Sequence, residues 1–430
     1  MTMTSEDTPD RMHSELERTF RLGNVTIKAP AYGVSINTGT DFRCLQDVFN
    51  FGGLKHTQII SYSLGDAVRF RALRDRTLFD LTGESQLLNQ PRLSDTALII
   101  DPMGECLEYF NSPEMEKLRG ILSTKSLPKI PWVLKGLLLD NEPRLDISER
   151  RESLKSIFND TVKLRDVVDW YLKTESVLGS STTLAPSPPI EGFTTLKYAI
   201  ETNRLAVTTQ QDNGWKKSMF FCLDGKAFSN SSVITSLTDS IDLMGPEVVA
   251  IKLSNFNHAA TGLTSKRNLQ GLLDFLHENN KHIFSLFMNT DAILCHILAQ
   301  GVSAAIEPIS GDTQIFHRRK KNPLESYDDA SWTYGKYPDP LKLRELPISD
   351  IKNILTNFGA YPCTCPYCIA AGNVTGNSEA YNQLRRKHRV CIRDMFISEL
   401  LATKGSVRAA MADRLSEEES ELNDFRSYYS

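Results

Sequence analysis

Cys363-Thr-Cys365-Pro-Tyr-Cys368 puts three thiols within one short turn, and nineteen residues separate Cys368 from His388. Three thiolates and one imidazole are a standard tetrahedral set for Zn2+, and the CxCxxC spacing lets a tight turn bring its sulfurs to one point. Pro362 and Pro366 stiffen that turn. Four protein ligands leave no open position, so the ion expected here is structural. Cys391, three residues beyond His388, is a rival fourth ligand. The bland alternative is three reduced cysteines in a loop beside a surface histidine. Cys44, Cys106, Cys222 and Cys295 stand alone, whereas the other four cysteines crowd the last fifth of the chain, a pattern that points to metal before disulfide in a cytosolic protein. His56, His258, His282 and His296 show no HxH or HExxH spacing, which argues against a second, catalytic metal, and no glycine-rich phosphate loop follows any apolar run.

The elements that must position these groups are legible as eight short apolar runs, at 31–36, 58–64, 97–102, 182–186, 219–225, 248–254, 283–288 and 303–309. Helical periodicity at 269–278 and 292–300 separates several of them, and strands alternating with helices predict a parallel sheet covered by helices. Their continuous apolar character suits strands buried on both faces. Eight strands make an α/β fold of the (β/α)8 TIM-like barrel type the expected architecture, with active residues at the C-terminal strand ends; an open doubly wound sheet is the alternative. Helical patterns at 147–158 and 161–174 predict a helical insertion over about 105–180, too long for a simple connection. The expected organisation is a catalytic barrel over 1–355 with that insertion, then a zinc-binding subdomain with C-terminal helices over 356–430.

Composition narrows the class. With 430 residues, 40% hydrophobic and 24% charged, the chain can bury a large core. No run approaches the roughly 18–20 apolar residues that cross a bilayer, and the N-terminus is polar and acidic, so a cytoplasmic protein without membrane partners is expected. A net charge of −4 lacks the positive field that gathers phosphate, so any nucleic-acid surface must be local. Candidate clusters are Lys216-Lys217, Arg318-Arg319-Lys320-Lys321 and Arg385-Arg386-Lys387, each equally readable as a solvated face.

The C-terminal cysteine motif resembles that of the tRNA-guanine transglycosylase superfamily, whose members are (β/α)8 barrels with a CxCxxC…H zinc subdomain near the barrel's end. Tyr327-Asp328-Asp329-Ala330-Ser331-Trp332 resembles the motif F-D-S-A-S-[YW] that holds the nucleophilic aspartate in its archaeal and DNA-modifying branches, and Asp328 lies thirty-five residues before Cys363. Leu98-Ile99-Ile100-Asp101-Pro102-Met103-Gly104 resembles the strand ending in V-D-S-G, whose aspartate moves protons and reads the base. Residues 23–32 also read like the family's opening strands.

The resemblance implies exchange of guanine in nucleic acid for a 7-deazaguanine base, such as 7-cyano-7-deazaguanine. Asp328 would attack the sugar C1′ and Asp101 would serve as acid and base. Glu307, on the eighth run, occupies the place of a strand-borne nucleophile and is the alternative to Asp328. Asp101 and Asp328 each have a bland reading as turn or helix caps. Asp224, Gly225 and Trp332 are the candidate base contacts, although the family's base-reading aspartate is not evident at 184–186.

The chain stops about forty residues after His388, short of the C-terminal domains of archaeal tRNA enzymes. With the helical insertion and the tryptophan form of the aspartate motif, this favours the DNA-modifying branch, with DNA as the polymer and other proteins of a DNA-modification system as partners. A duplex base must be flipped out to be reached, and Trp332, Tyr334 and Phe316 beside Arg318 and Arg319 are candidates to clamp it. The alternatives are the same exchange on tRNA, a catalytically inactive paralogue that binds nucleic acid or a partner, and an unrelated zinc-stabilised hydrolase.

Overall fold

The computed structural model describes residues 18–36, 39–51, 54–65, 67, 96–103, 128–134, 147–254, 271–272, 275, 283–288, 290, 294–299, 301–309, 336–338, 345–347, 363, 365–371 and 379–402. Arg18–Leu22 (β1) and Val25–Ala29 (β2) form an antiparallel hairpin. Gly23 turns it with φ +55°, a left-handed conformation that glycine adopts without a Cβ clash. Strand β2 alternates buried and exposed positions, so Val25 and Ile27 face inward.

Eight strands then build one sheet: Ala31–Ser35 (β3), Thr57–Ser63 (β4), Ala97–Asp101 (β5), Pro189–Ile190 (β6), Ser218–Asp224 (β7), Val248–Ser254 (β8), Phe284–Met288 (β9) and Ala304–Pro308 (β10). Their order is β5-β4-β3-β10-β9-β8-β7-β6, and every pairing is parallel. The first and last of these strands in sequence are therefore neighbours, and only the β5/β6 seam interrupts a cyclic order. The sheet is curled. Lys252 Nζ on β8 reaches Asp101 Oδ2 on β5 at 2.5 Å although the strands stand five places apart in the ladder, a spacing of about 24 Å in a flat sheet.

Alternation sorts the side chains into two cores. One cluster lies inside the curl: Ala31, Ile59, Ala97, Ile99, Leu184, Phe220, Ala250, Leu286 and Ile306 pack there with Leu22, Val25 and Ile27 of the hairpin. Gly33 makes room for it, because a Cβ there would meet Ile306 Cγ1 at 2.6 Å and Ile59 Cβ at 3.0 Å. The outer cluster packs the other strand faces against helices Gly39–Phe51 (α1), Ile147–Phe158 (α2), Thr161–Val177 (α3), Phe193–Asp212 (α4), Ser231–Met244 (α5) and Leu294–Ala299 (α6). Asp160 caps α3 through the amides of Val162 and Lys163, and Asn230 caps α5. Beyond the sheet come a two-stranded ribbon, Lys336–Pro338 (β11) with Glu345–Pro347 (β12), then Pro366–Ala371 (α7) and Glu379–Ala402 (α8).

Seven of the eight apolar runs form strands of this sheet. The run at 182–186 does not: Thr182 makes a single parallel bridge to Ile99, and the short strand β6 comes later. Side chains take the place of ladder partners there. Glu175 accepts from Leu184 N, Asn203 bonds both Phe220 N and Phe220 O, and Gln210 bonds Thr183 O and Ser218 N. Pro186, Pro188 and Pro189 supply no amides, which prevents a continuous ladder. The helical expectation at 147–158 and 161–174 is met by α2 and α3. Among the described residues no helix is long and apolar enough to cross a membrane.

Candidate metal centre and polar mouth of the sheet

Cys363, Cys365, Cys368 and His388 converge, with one ligand atom from each lying within 4.8 Å of the others. Their sulfurs stand 3.4, 3.5 and 3.2 Å from His388 Nδ1. Tetrahedral bonds of about 2.3 Å to sulfur and 2.0–2.1 Å to nitrogen imply S···N separations of roughly 3.5 Å, so the donor set fits a small cation. All three cysteines are free of disulfides. The amide of Cys365 donates to Cys363 Sγ and that of Cys368 to Cys365 Sγ, as thiolates require. Hydrogen bonds from Cys363 and then Cys368 hold the Cys365 thiol far below its ordinary range, while sharing with Cys365 pushes Cys363 up to about 12. Cys391 lies outside the cluster; burial, with Cys365 adding to it, pushes its thiol up to about 12. Pro366 begins α7, where a missing amide costs nothing, and α8 carries His388 on its buried face.

Helix α8 is stitched to the sheet at successive turns. Arg389 Nη1 donates to Glu307 Oε2 at 2.9 Å, Arg393 Nε to Glu307 Oε1 at 2.9 Å, and the Tyr32 hydroxyl to Oε1 at 2.9 Å. Glu307, Arg389 and Tyr32 are fully buried. Both oxygens of Glu307 are thus committed to helix α8, on the face of β10 opposite to the inner cluster residues Ala304 and Ile306. Asp394 accepts from the amides of Lys55, His56 and Thr57 at the start of β4. Of the basic cluster at 385–387, Arg385 is buried, Arg386 pairs with Asp41 and Lys387 with Asp47. The last two serve a helix–helix contact with α1.

At the C-terminal ends of the strands the interior turns polar. Ser61, Ser63, Asp101, Asp224, Lys252 and Ser254 alternate with outward-facing neighbours and are all buried. Asp101 Oδ1 accepts from Met103 N at 2.9 Å while Oδ2 meets Lys252. Met103 has φ +56°, a left-handed conformation uncommon for a side chain of its size. Asp224 Oδ1 accepts from Lys226 N and caps the short 3-10 turn Gly225–Ser229. Glu175, on α3, is fully buried; desolvation, opposed by the Leu184 amide and reinforced by the Asp101 charge, raises its carboxyl well above the usual range.

Of the sequence-predicted residues, the four metal ligands come together, and Asp101 and Asp224 both stand in the polar mouth. Glu307 stands apart, three strands from Asp101 in the ladder. Asp328 and Trp332 lie outside the described residues, as do Phe316, Arg318, Arg319 and Tyr334. Lys252 and Glu175 were missed. A lysine inside the apolar run 248–254 was the available signal for the first; nothing in the helical pattern of α3 singles out the second.

These features define a mixed α/β protein with a curled eight-stranded parallel sheet and a Cys3His cluster able to hold a metal ion. No protein-family model and no curated protein matches the chain.

Proposed function

We propose that the chain is a base-exchanging transglycosylase acting on nucleic acid, DNA in preference to tRNA, with its sheet closed as a (β/α)8 barrel and zinc held by Cys363, Cys365, Cys368 and His388. The observation that carries this reading is Asp101: a buried carboxyl at a strand end, its two oxygens fixed by Met103 N and Lys252 Nζ, where an acid–base group must stand. Closure is supported by the Ile99–Thr182 bridge across the seam and by the inner cluster that draws on β3, β4, β5, β7, β8, β9 and β10 and on Leu184.

In this reaction a carboxylate attacks C1′, the C–N bond breaks, and the expelled guanine takes a proton; the incoming 7-deazaguanine then displaces the carboxylate as it loses one. Asp101 handles the protons. Asp328, in the motif that resembles the family's nucleophile segment, is the nucleophile; Glu307 lies on the outer face of β10, away from the polar mouth, and is bound by arginines of α8. Zinc bound by Cys363, Cys365, Cys368 and His388 would do no chemistry in this scheme and would tie α7 to α8.

The test supplies duplex DNA, single-stranded DNA and tRNA in turn, with labelled guanine or 7-cyano-7-deazaguanine, and follows incorporation by nucleoside mass spectrometry. Label entering DNA alone supports the proposal and label entering tRNA alone moves it to the other polymer. Asp328→Ala should abolish the covalent protein–nucleic-acid complex. Retained nucleic-acid affinity with no exchange by the wild type would identify a binding protein instead.

A further inference from the structure

We propose that Lys252 is an amine nucleophile that forms an imine with the aldehyde of an open-chain sugar, the abasic deoxyribose left by base loss being the form met in DNA. The sugar's attachment to DNA rests on the base-exchange reading; the amine chemistry does not. Lys252 is the buried lysine among the described residues, whereas Lys155, Lys173 and Lys216 are at least one-third exposed. It projects from the inner face of β8, two residues before the C-terminal end of the strand.

An amine nucleophile needs a neighbour to take the ammonium proton, exclusion of water, and a donor for the carbonyl oxygen. Asp101 Oδ2, 2.5 Å from Nζ, is the first, and its other oxygen is tethered by Met103 N so that it stays aimed. Burial in the curl supplies the second. Ser61 is the donor available for the third: its buried hydroxyl lies on the inner face of β4, two residues before Ser63, the register partner of Asp101 on β5, and has no hydrogen-bond partner among the described residues. Glu175, near enough for the Asp101 charge to raise its carboxyl, has Oε1 likewise unpartnered and provides a second proton donor. A buried ion pair serving stability alone is often replaceable by apolar side chains without loss. Orphaned hydroxyl and carboxyl groups on the neighbouring β4 and α3 point to a ligand.

The step balances without a co-reactant. Asp101 takes a proton from the ammonium, and the Nζ lone pair bonds to the carbonyl carbon to give a carbinolamine. The carbinolamine oxygen then takes the proton from Asp101 and leaves as water, and nitrogen keeps one hydrogen in the protonated imine. Net, ammonium and aldehyde become iminium and one water.

The whole protein is incubated with cyanoborohydride and either glycolaldehyde, which needs no nucleic-acid surface, or an oligonucleotide bearing one abasic site. Peptide mass mapping then locates the reduced secondary amine. Lys252 should be labelled at least about tenfold faster than Lys216, and Asp101→Asn should slow it by at least about tenfold. Lys252→Arg, which keeps a cation opposite Asp101, should lose the adduct while keeping the wild-type Tm. Labelling by glycolaldehyde alone supports the amine and removes the nucleic-acid substrate. No preferential adduct at Lys252 with either probe overturns the proposal. Base exchange measured in parallel separates the two readings: exchange without labelling sinks only the amine, and labelling without exchange sinks only the transglycosylase.

Discussion

Glu307 illustrates how little a residue's type says about its role. It is a carboxylate at the end of a strand, the description that suits a nucleophile, yet two guanidinium groups and a phenol hold it. Breaking such a group from one side leaves buried cations unpaired, so Glu307→Ala should cost about 3–5 kcal/mol in denaturant unfolding. A loss under about 1 kcal/mol would show that the arginines find other partners. Glu175 makes a different prediction. Its carboxyl binds a proton more tightly in the fold than in the unfolded chain, whose value lies near 4.5. That contribution is therefore complete below about 4.5 and is lost as pH rises through the folded value. The wild-type Tm should fall as pH rises above about 5, and Glu175→Gln, neutral at every pH and able to accept from Leu184 N, should flatten the dependence. Parallel profiles for the two proteins count against it. Neither role was readable from the sequence, because burial and partner are decided by residues at least 82 positions away for Glu307 and by a packed seam for Glu175.

At the scale of elements, helix α8 does the joining. One of its turns offers His388 to the cysteine cluster, the next residue grips β10, and Asp394 organises the start of β4. The helix and its ligand were both legible: C-terminal helices were expected within 356–430, and CxCxxC announced a candidate metal site, because ligand spacing is a local property. Purified protein should hold one zinc per chain by atomic absorption. His388→Ala should lower that content, and chelation should weaken amide-exchange protection in α8 before that in β7 and β8. Equal protection with and without the ion would mean that the helix needs no metal to stay docked. Within the sheet, Gly33 is the sensitive point. Gly33→Val adds atoms where even a Cβ meets Ile306 at 2.6 Å, and overpacking of this kind should cost about 1–3 kcal/mol in thermal or denaturant unfolding. An unchanged unfolding midpoint would argue that the inner cluster has slack.

At the scale of the molecule, the curl brings β5 and β8 together, and the polar mouth exists because of it. If the reading above holds, DNA binding should weaken steeply as salt rises, since phosphate contacts release counterions, while zinc content stays constant. Salt-independent binding in a titration from low to moderate salt would point away from a phosphate-tracking surface. The sequence by itself determined the alternation of strands and helices, seven of the eight strands of the sheet, the helices α2 and α3 and the Cys3His cluster, because each is written in short-range periodicity or spacing. Tertiary structure alone decided that 182–186 would trade its ladder for the side chains of Glu175 and Gln210, and that Arg386 and Lys387 would pair with α1. It also decided that Asp101 would meet Lys252 across the curl. The physical reason is common to all three: a side chain's partners are set by which strand faces the curl turns inward, and that geometry couples residues about 150 positions apart.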